Sequence, residues 1–135
     1  MERKILLLGN PVLYQPSAPV VPQEYEDLPK IVTDLHDTLL IFRKKYGAGR
    51  AIAAPQIGIL KRILYMYIDQ PVVFINPSLE FPDEEKMMVL DDCMSHPNLL
   101  VKILRYRRCI LYYTDLHQMQ LEGACQNYCS TNMSL

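Results

Sequence analysis

Gly49-Arg50-Ala51-Ile52-Ala53-Ala54-Pro55-Gln56-Ile57-Gly58 is a run of small residues, opened and closed by glycine, with one amide side chain near its end. It divides the chain into two parts of different character. Upstream, over residues 27–45, Leu28, Ile31, Val32, Leu35, Leu39 and Phe42 recur at helical spacing. Pro29 suits the first turn of that helix, Lys44 and Lys45 suit its C-terminal end, and Gly47 and Gly49 stop it. Downstream, residues 62–68, 72–75, 86–90, 100–104 and 108–114 are rich in Ile, Leu, Val and Tyr and read as strands. Pro71, Asn76-Pro77 and Pro82-Asp83 separate the first of them. No helical pattern intervenes between the strands, which predicts antiparallel pairing. The expected fold class is α+β, antiparallel sheets with one N-terminal helix.

Ahead of the helix, residues 5–22 are apolar and punctuated by Pro11, Pro16, Pro19 and Pro22. Proline lacks the N–H that a helix interior or a central strand requires, so an extended segment packed against something else is expected. With 135 residues the chain fits a single domain. Half its residues are hydrophobic and the formal net charge is -1, with no basic surface beyond the short stretch Arg105 to Arg108. That balance argues against nucleic-acid binding. No apolar run is long enough to cross a bilayer. The N-terminal apolar stretch, Ile5 to Leu8, ends at Gly9-Asn10-Pro11, too soon for a signal peptide, which makes the cytoplasm the expected compartment. Four cysteines at uneven positions, Cys93, Cys109, Cys125 and Cys129, do not form a disulfide framework and are expected to be buried thiols, ligands or nucleophiles.

Two stretches carry chemistry. In the first, small residues permit close approach of a ligand backbone, and the Gln56 amide can donate to a developing oxyanion. The same residues also fit a turn between helix and sheet, with Gln56 capping a backbone group. The second is Asp91-Asp92-Cys93-Met94-Ser95, which places a cysteine just past a strand among polar residues. Such a cysteine is a metal ligand, a nucleophile or a small buried hydrophobe. Two acidic neighbours argue against a free nucleophile.

In content and order these stretches resemble the peptide deformylases. That family carries Gly-Φ-Gly-Φ-Ala-Ala-x-Gln, then Glu-Gly-Cys-Leu-Ser, then His-Glu-x-x-His on a C-terminal helix. Here Gly49 to Gln56 match the first motif, with Ala51 at its second glycine. Cys93 and Ser95 match the second, with Asp91 for Glu, Asp92 for Gly and Met94 for Leu. Ile5 to Val20, Asn76-Pro77, Tyr113-Thr114-Asp115-Leu116 and Leu121-Glu122-Gly123 are also similar to the family, and the likeness is lost after about residue 123. The resemblance implies a single domain over 1–135 whose central metal-binding helix is missing. It implies Cys93 as a ligand of a divalent metal, Fe2+ in cells and Zn2+ or Ni2+ in purified protein. It implies Gln56 and the Met94 backbone N–H as oxyanion donors, and Gly49, Ala51 and Asp92 beside the substrate. The implied reaction is metal-dependent hydrolysis of the formyl group from N-formylmethionyl nascent peptides, with release of formate. The ribosome is a further implied partner; nucleic acid and membrane are not.

The third motif is absent from these residues. Of the three histidines, His36 is expected on the polar face of the helix, His96 lies too near Cys93 to replace the missing helix, and His117 falls at a turn. Each is expected to be an ordinary exposed or hydrogen-bonded histidine. Cys125 and Cys129, four apart, would share one helix face and with Cys93 could make a three-thiolate structural zinc site. They lack a carboxylate between them to act as base. Synonymous codons for Cys129 to Asn132, read in a shifted frame, can encode Gln-His-Glu, so a frameshift near residues 122–125 is expected. Activity is accordingly expected to be impaired or lost. The alternatives are a non-catalytic relative that binds formyl-peptides or the ribosome, and a truncated product without function.

Overall fold

The computed structural model describes residues 1–116 and 126–130; at 91, 92, 96–98 and 126–130 it describes the backbone alone. One long helix packs on a mainly antiparallel β-structure, as the sequence predicts. Helix α1 spans Leu28–Tyr46 and buries Leu28, Leu35 and Leu39, one stripe at helical spacing. It ends at Gly47, whose φ of 70° lets its N–H close onto the Arg43 carbonyl at 2.8 Å. Arg43, Lys44 and Lys45 occupy the last turn, where cations meet the helix dipole favourably.

The strands are β1 (Ala51–Ala53), β2 (Ile63–Tyr67), β3 (Pro71–Glu80), β4 (Lys86–Cys93), β5 (His96–Tyr106), β6 (Cys109–Thr114) and β7 (Gln126–Ser130). Five of them form one antiparallel sheet in the order β1-β2-β3-β6-β7. β4 and β5 form a separate two-stranded hairpin. Successive residues of β2 point to opposite faces, and both faces are buried. Ile63 and Tyr65 join the core under α1, together with Ile52, Ile57, Val73 and Ile75. Leu64 joins Phe74, Leu111 and Tyr113 on the other side.

Three local expectations are corrected. Asn76-Pro77 does not separate two strands but lies inside β3, where the pairing with β6 shifts register between Ile75 and Ser78. A bulge absorbs the missing proline donor. Asn76 takes φ 51° there, which asparagine tolerates better than most side chains. The segment before α1 is not purely extended: Pro11–Tyr14 and Pro22–Asp27 form short 3-10 turns. Each begins with its proline, at the position where the absent N–H would have no partner anyway. Finally, residues 126–130, where a helix would have put Cys125 and Cys129 on one face, pair with β6 as a strand. The Leu121-Glu122-Gly123 segment and His117 lie outside the described residues.

Candidate active site

The small-residue run is a strand followed by a turn. Ala51 to Ala53 form β1, opposite Met66, Tyr65 and Leu64 of β2. Gly49 leads into it with φ 130°, a conformation that glycine alone adopts easily, and a Cβ there would sit 3.3 Å from Phe42 Cδ1. The Gly49 carbonyl accepts from Arg43 Nε at 3.0 Å, tying the loop to the end of α1. Among the described residues Asn76 is the one non-glycine with positive φ, so Ala51 has the negative φ that an alanine at this glycine position needs.

Pro55 starts a 3-10 turn over Ala54–Ile57, and Gly58 closes it. That turn presents Gln56, half-buried. Its Oε1 accepts the Ala53 N–H at 2.9 Å. This bond sets which end of the amide is oxygen, so Nε2 must face the other way. It points at the β4–β5 hairpin, donating to Cys93 Sγ at 3.3 Å and to Ser95 Oγ at 3.1 Å.

The end of that hairpin is unusual because it is buried. Cys93 pairs with His96, which leaves Met94 and Ser95 as a two-residue turn, and each is only 6% exposed. Connecting turns normally lie on the surface, where water satisfies their backbone. Here Met94 packs into the core beneath α1. Ser95 donates its backbone N–H toward Cys93 Sγ at 3.5 Å. The Met94 N–H has no acceptor among the described residues. A buried N–H without a partner is uncommon and calls for one.

The N-terminal arm fastens the two motifs together. The Leu6 N–H donates to the Gln56 carbonyl at 2.7 Å and the Leu8 N–H to the Ser95 carbonyl at 2.9 Å. Gln56, Cys93 and Met94 are therefore brought together as expected, while Gly49 and Ala51 lie on the strand and loop that lead to them. The Asp92 side chain lies outside the described residues. The Ser95 hydroxyl and the arm were not singled out by sequence reasoning. The serine was visible in the motif; the arm works through backbone N–H groups, which leave no side-chain signal.

Among the described residues no three His, Cys, Asp or Glu side chains converge on a metal position. Cys93 is the candidate ligand that the motif supplies, and without a set of three the described residues do not by themselves fit a divalent ion. His36 is not on the polar face of α1. It turns to the sheet, with Nδ1 2.6 Å from the Tyr65 hydroxyl and its ring edge-on to Tyr65 and Tyr67. The buried Tyr65 hydroxyl needs that partner, which makes His36 a structural residue. Cys129 sits in a strand opposite Ile110, which removes the helix face on which a three-thiolate site was argued; Cys125 lies outside the described residues.

Comparison with known proteins agrees with this geometry. The sequence model of a family described as polypeptide deformylase matches residues 2–133. The peptide deformylase of Pseudothermotoga lettingae is 33% identical over 129 residues, covering 95% of this chain and 71% of that one. A peptide deformylase-like protein of Brucella melitensis is 32% identical over 117 residues, covering 84% of this chain and 68% of that one. The crystal structure of the Thermotoga maritima peptide deformylase superposes with a TM-score of 0.81 at 27% identity, covering 98% of this chain and 83% of that one.

Proposed function

The chain belongs to the peptide deformylase family, and from that premise we propose that Gln56 and the Met94 N–H form the oxyanion-binding half of a site for N-formylmethionyl peptides. One observation carries this reading. The Gln56 amide, oriented by Ala53, is aimed at the very turn in which the buried Met94 N–H has no acceptor among the described residues. A side-chain amide aimed at a turn that also holds a backbone N–H without an acceptor among the described residues suits a carbonyl oxygen that gains negative charge. Ala51, on the neighbouring strand β1, and Gly49, in the loop that leads into it, are the residues proposed beside the peptide backbone, with Asp92 at the turn's entry.

The family is metal-dependent. In this reading Cys93 would be one thiolate ligand for Fe2+, or for Zn2+ or Ni2+, and such an ion would supply Lewis-acid chemistry only with a fuller ligand set than the described residues provide. The 135 residues contain no His-Glu-x-x-His, and among the described residues no group of three His, Cys, Asp or Glu side chains completes a ligand set. These residues are proposed to recognise the formyl-methionyl end of nascent peptides, in the cytoplasm near the ribosome, with little or no turnover.

The test is calorimetric titration of the 135-residue chain with an N-formylmethionyl tripeptide and with its unformylated counterpart, alongside a formate assay with Fe2+, Zn2+ or Ni2+ added. Saturable binding that prefers the formylated peptide and weakens in Gln56→Leu is expected, with formate at the uncatalysed rate. Equal affinity for both peptides would overturn the recognition reading. Metal-dependent formate release would overturn the absence of turnover.

A second reading, a product without function, is favoured by the apolar surface of the β4–β5 hairpin, where Met88, Leu90, Leu100 and Leu104 are about three-fifths exposed. It predicts aggregation in place of binding.

A further inference from the structure

We propose that Ser95 is a positioning residue, one that fixes the Gln56 amide in the orientation an oxyanion donor needs. The catalytic meaning of this assignment rests on the function proposed above; the structural assignment does not.

The terminal amide torsion of a glutamine is broad and roughly two-fold, so a single contact does not hold it. Gln56 has three. Its oxygen is held by the Ala53 N–H at 2.9 Å, and its nitrogen lies 3.3 Å from Cys93 Sγ and 3.1 Å from Ser95 Oγ. Sulfur is a weak acceptor, whereas a hydroxyl oxygen has two good lone pairs. The serine is therefore the stronger of the two contacts to the amide nitrogen.

Ser95 is itself well placed to hold another group. It is buried, its carbonyl is fixed by the Leu8 N–H and its own N–H is directed at Cys93. Two residues earlier along the arm, Leu6 fixes the Gln56 carbonyl, so donor and acceptor are mounted on one common segment. Their relative position is set by backbone, and the hydroxyl transfers that precision to the amide. The bland alternative is a buried hydroxyl that merely found a partner. The two differ in what happens to Gln56 when the hydroxyl is removed.

The experiment follows the Gln56 side-chain NH2 pair in 15N-correlated NMR spectra of the 135-residue chain, identified by its loss in Gln56→Leu. In Ser95→Ala the exchange of that pair with water should quicken on the order of tenfold, the equivalent of one lost hydrogen bond. Backbone signals outside the 93–95 turn should stay in place, and Ser95→Thr should restore slow exchange. Unchanged exchange in a folded Ser95→Ala protein, or failure of threonine to restore it, would overturn the assignment. If Ser95→Ala does not fold, Ser95→Cys carries the test. Its weaker acceptor should give a partial acceleration, and wild-type exchange in that folded variant would overturn the proposal. No formyl-peptide enters the measurement, so its outcome is independent of whether the chain binds or hydrolyses one.

Discussion

Gln56 uses the two ends of one amide differently: its oxygen caps the Ala53 N–H, and its nitrogen reaches the Cys93 turn. Of the two readings that the sequence left open, the backbone cap holds, and the nitrogen faces the turn where the proposed donor role would place it. Spacing cannot separate them because the turn that makes the cap also aims the nitrogen. Gly49 was more legible, since few residues but glycine reach φ 130°. Gly49→Ala should destabilise the fold by about 1–3 kcal/mol through backbone strain. The new Cβ would also press on Phe42, 3.3 Å away. Urea unfolding of the variant measures this, and an unchanged midpoint would show that the loop relaxes freely. His36 was misplaced because helical periodicity counts hydrophobes and does not see a tyrosine hydroxyl on a neighbouring strand. Tyr65→Phe should cost about 1 kcal/mol, leaving His36 Nδ1 without its 2.6 Å partner while the ring packing persists. Thermal unfolding of Tyr65→Phe and of the double variant with His36→Phe checks the coupling. Purely additive losses would mean that the contact contributes nothing.

At the scale of elements, α1 and the strands were legible because each repeats a period, and the interruptions were not. The helix expected over 27–45 runs Leu28–Tyr46. Asn76-Pro77 reads as a strand end, yet β3 continues through it with a shift of register against β6, and the Asn76 side chain turns to the arm instead. Asn76 Oδ1 accepts from the Val20 N–H at 2.7 Å, and its Nδ2 donates to the Val20 carbonyl at 3.0 Å. These bonds pin the N-terminal arm to the bulge. Asn76→Gly keeps the backbone conformation and removes both bonds, which should cost about 1–3 kcal/mol. Asn76→Ala removes the same bonds and adds roughly 1 kcal/mol of left-handed strain. Denaturant midpoints should fall in the order wild type, Gly, Ala, and the reverse order for the variants would mean that strain is absent. The β4–β5 hairpin is the other element whose sequence misleads. Its alternation gives two strands, but Met88 faces Leu104 and Leu90 faces Lys102 on a side left open. Met88→Lys with Leu104→Glu should weaken binding of an apolar dye and leave the melting temperature nearly unchanged, since cross-strand charge replaces an exposed apolar pair. A large loss of stability would show that this face is packed in solution.

Across the whole molecule, the sequence told which segments form the sheet and the helix but not how the N-terminal arm joins them. Its role lies in backbone donors to Gln56 and Ser95, and in a charge cluster at the first residues that spacing cannot reveal. Asp34, buried on α1, accepts from the Met1 ammonium at 3.0 Å and from Arg3 Nη1 at 3.1 Å, while the Arg3 N–H reaches the buried Thr38 hydroxyl at 2.8 Å. The hydrogen bond from the ammonium holds the Asp34 carboxyl below its ordinary value, and this outweighs the opposing effect of burial. A folded-state pKa depressed in this way adds stability that is complete above the unfolded value, about 3.9 for aspartate. That stability is lost as pH falls through the folded value, because the folded state must then take up a proton it resists. Asp34→Asn should therefore lower stability at neutral pH and flatten the decline below about pH 4, since asparagine has no proton to gain. Urea midpoints of the two proteins between neutral and acidic pH measure the difference. Curves that stay parallel down the acid limb would mean that the arm is not anchored by this carboxylate, and its bonds to Thr38, Gln56, Ser95 and Asn76 would have to hold it against the site.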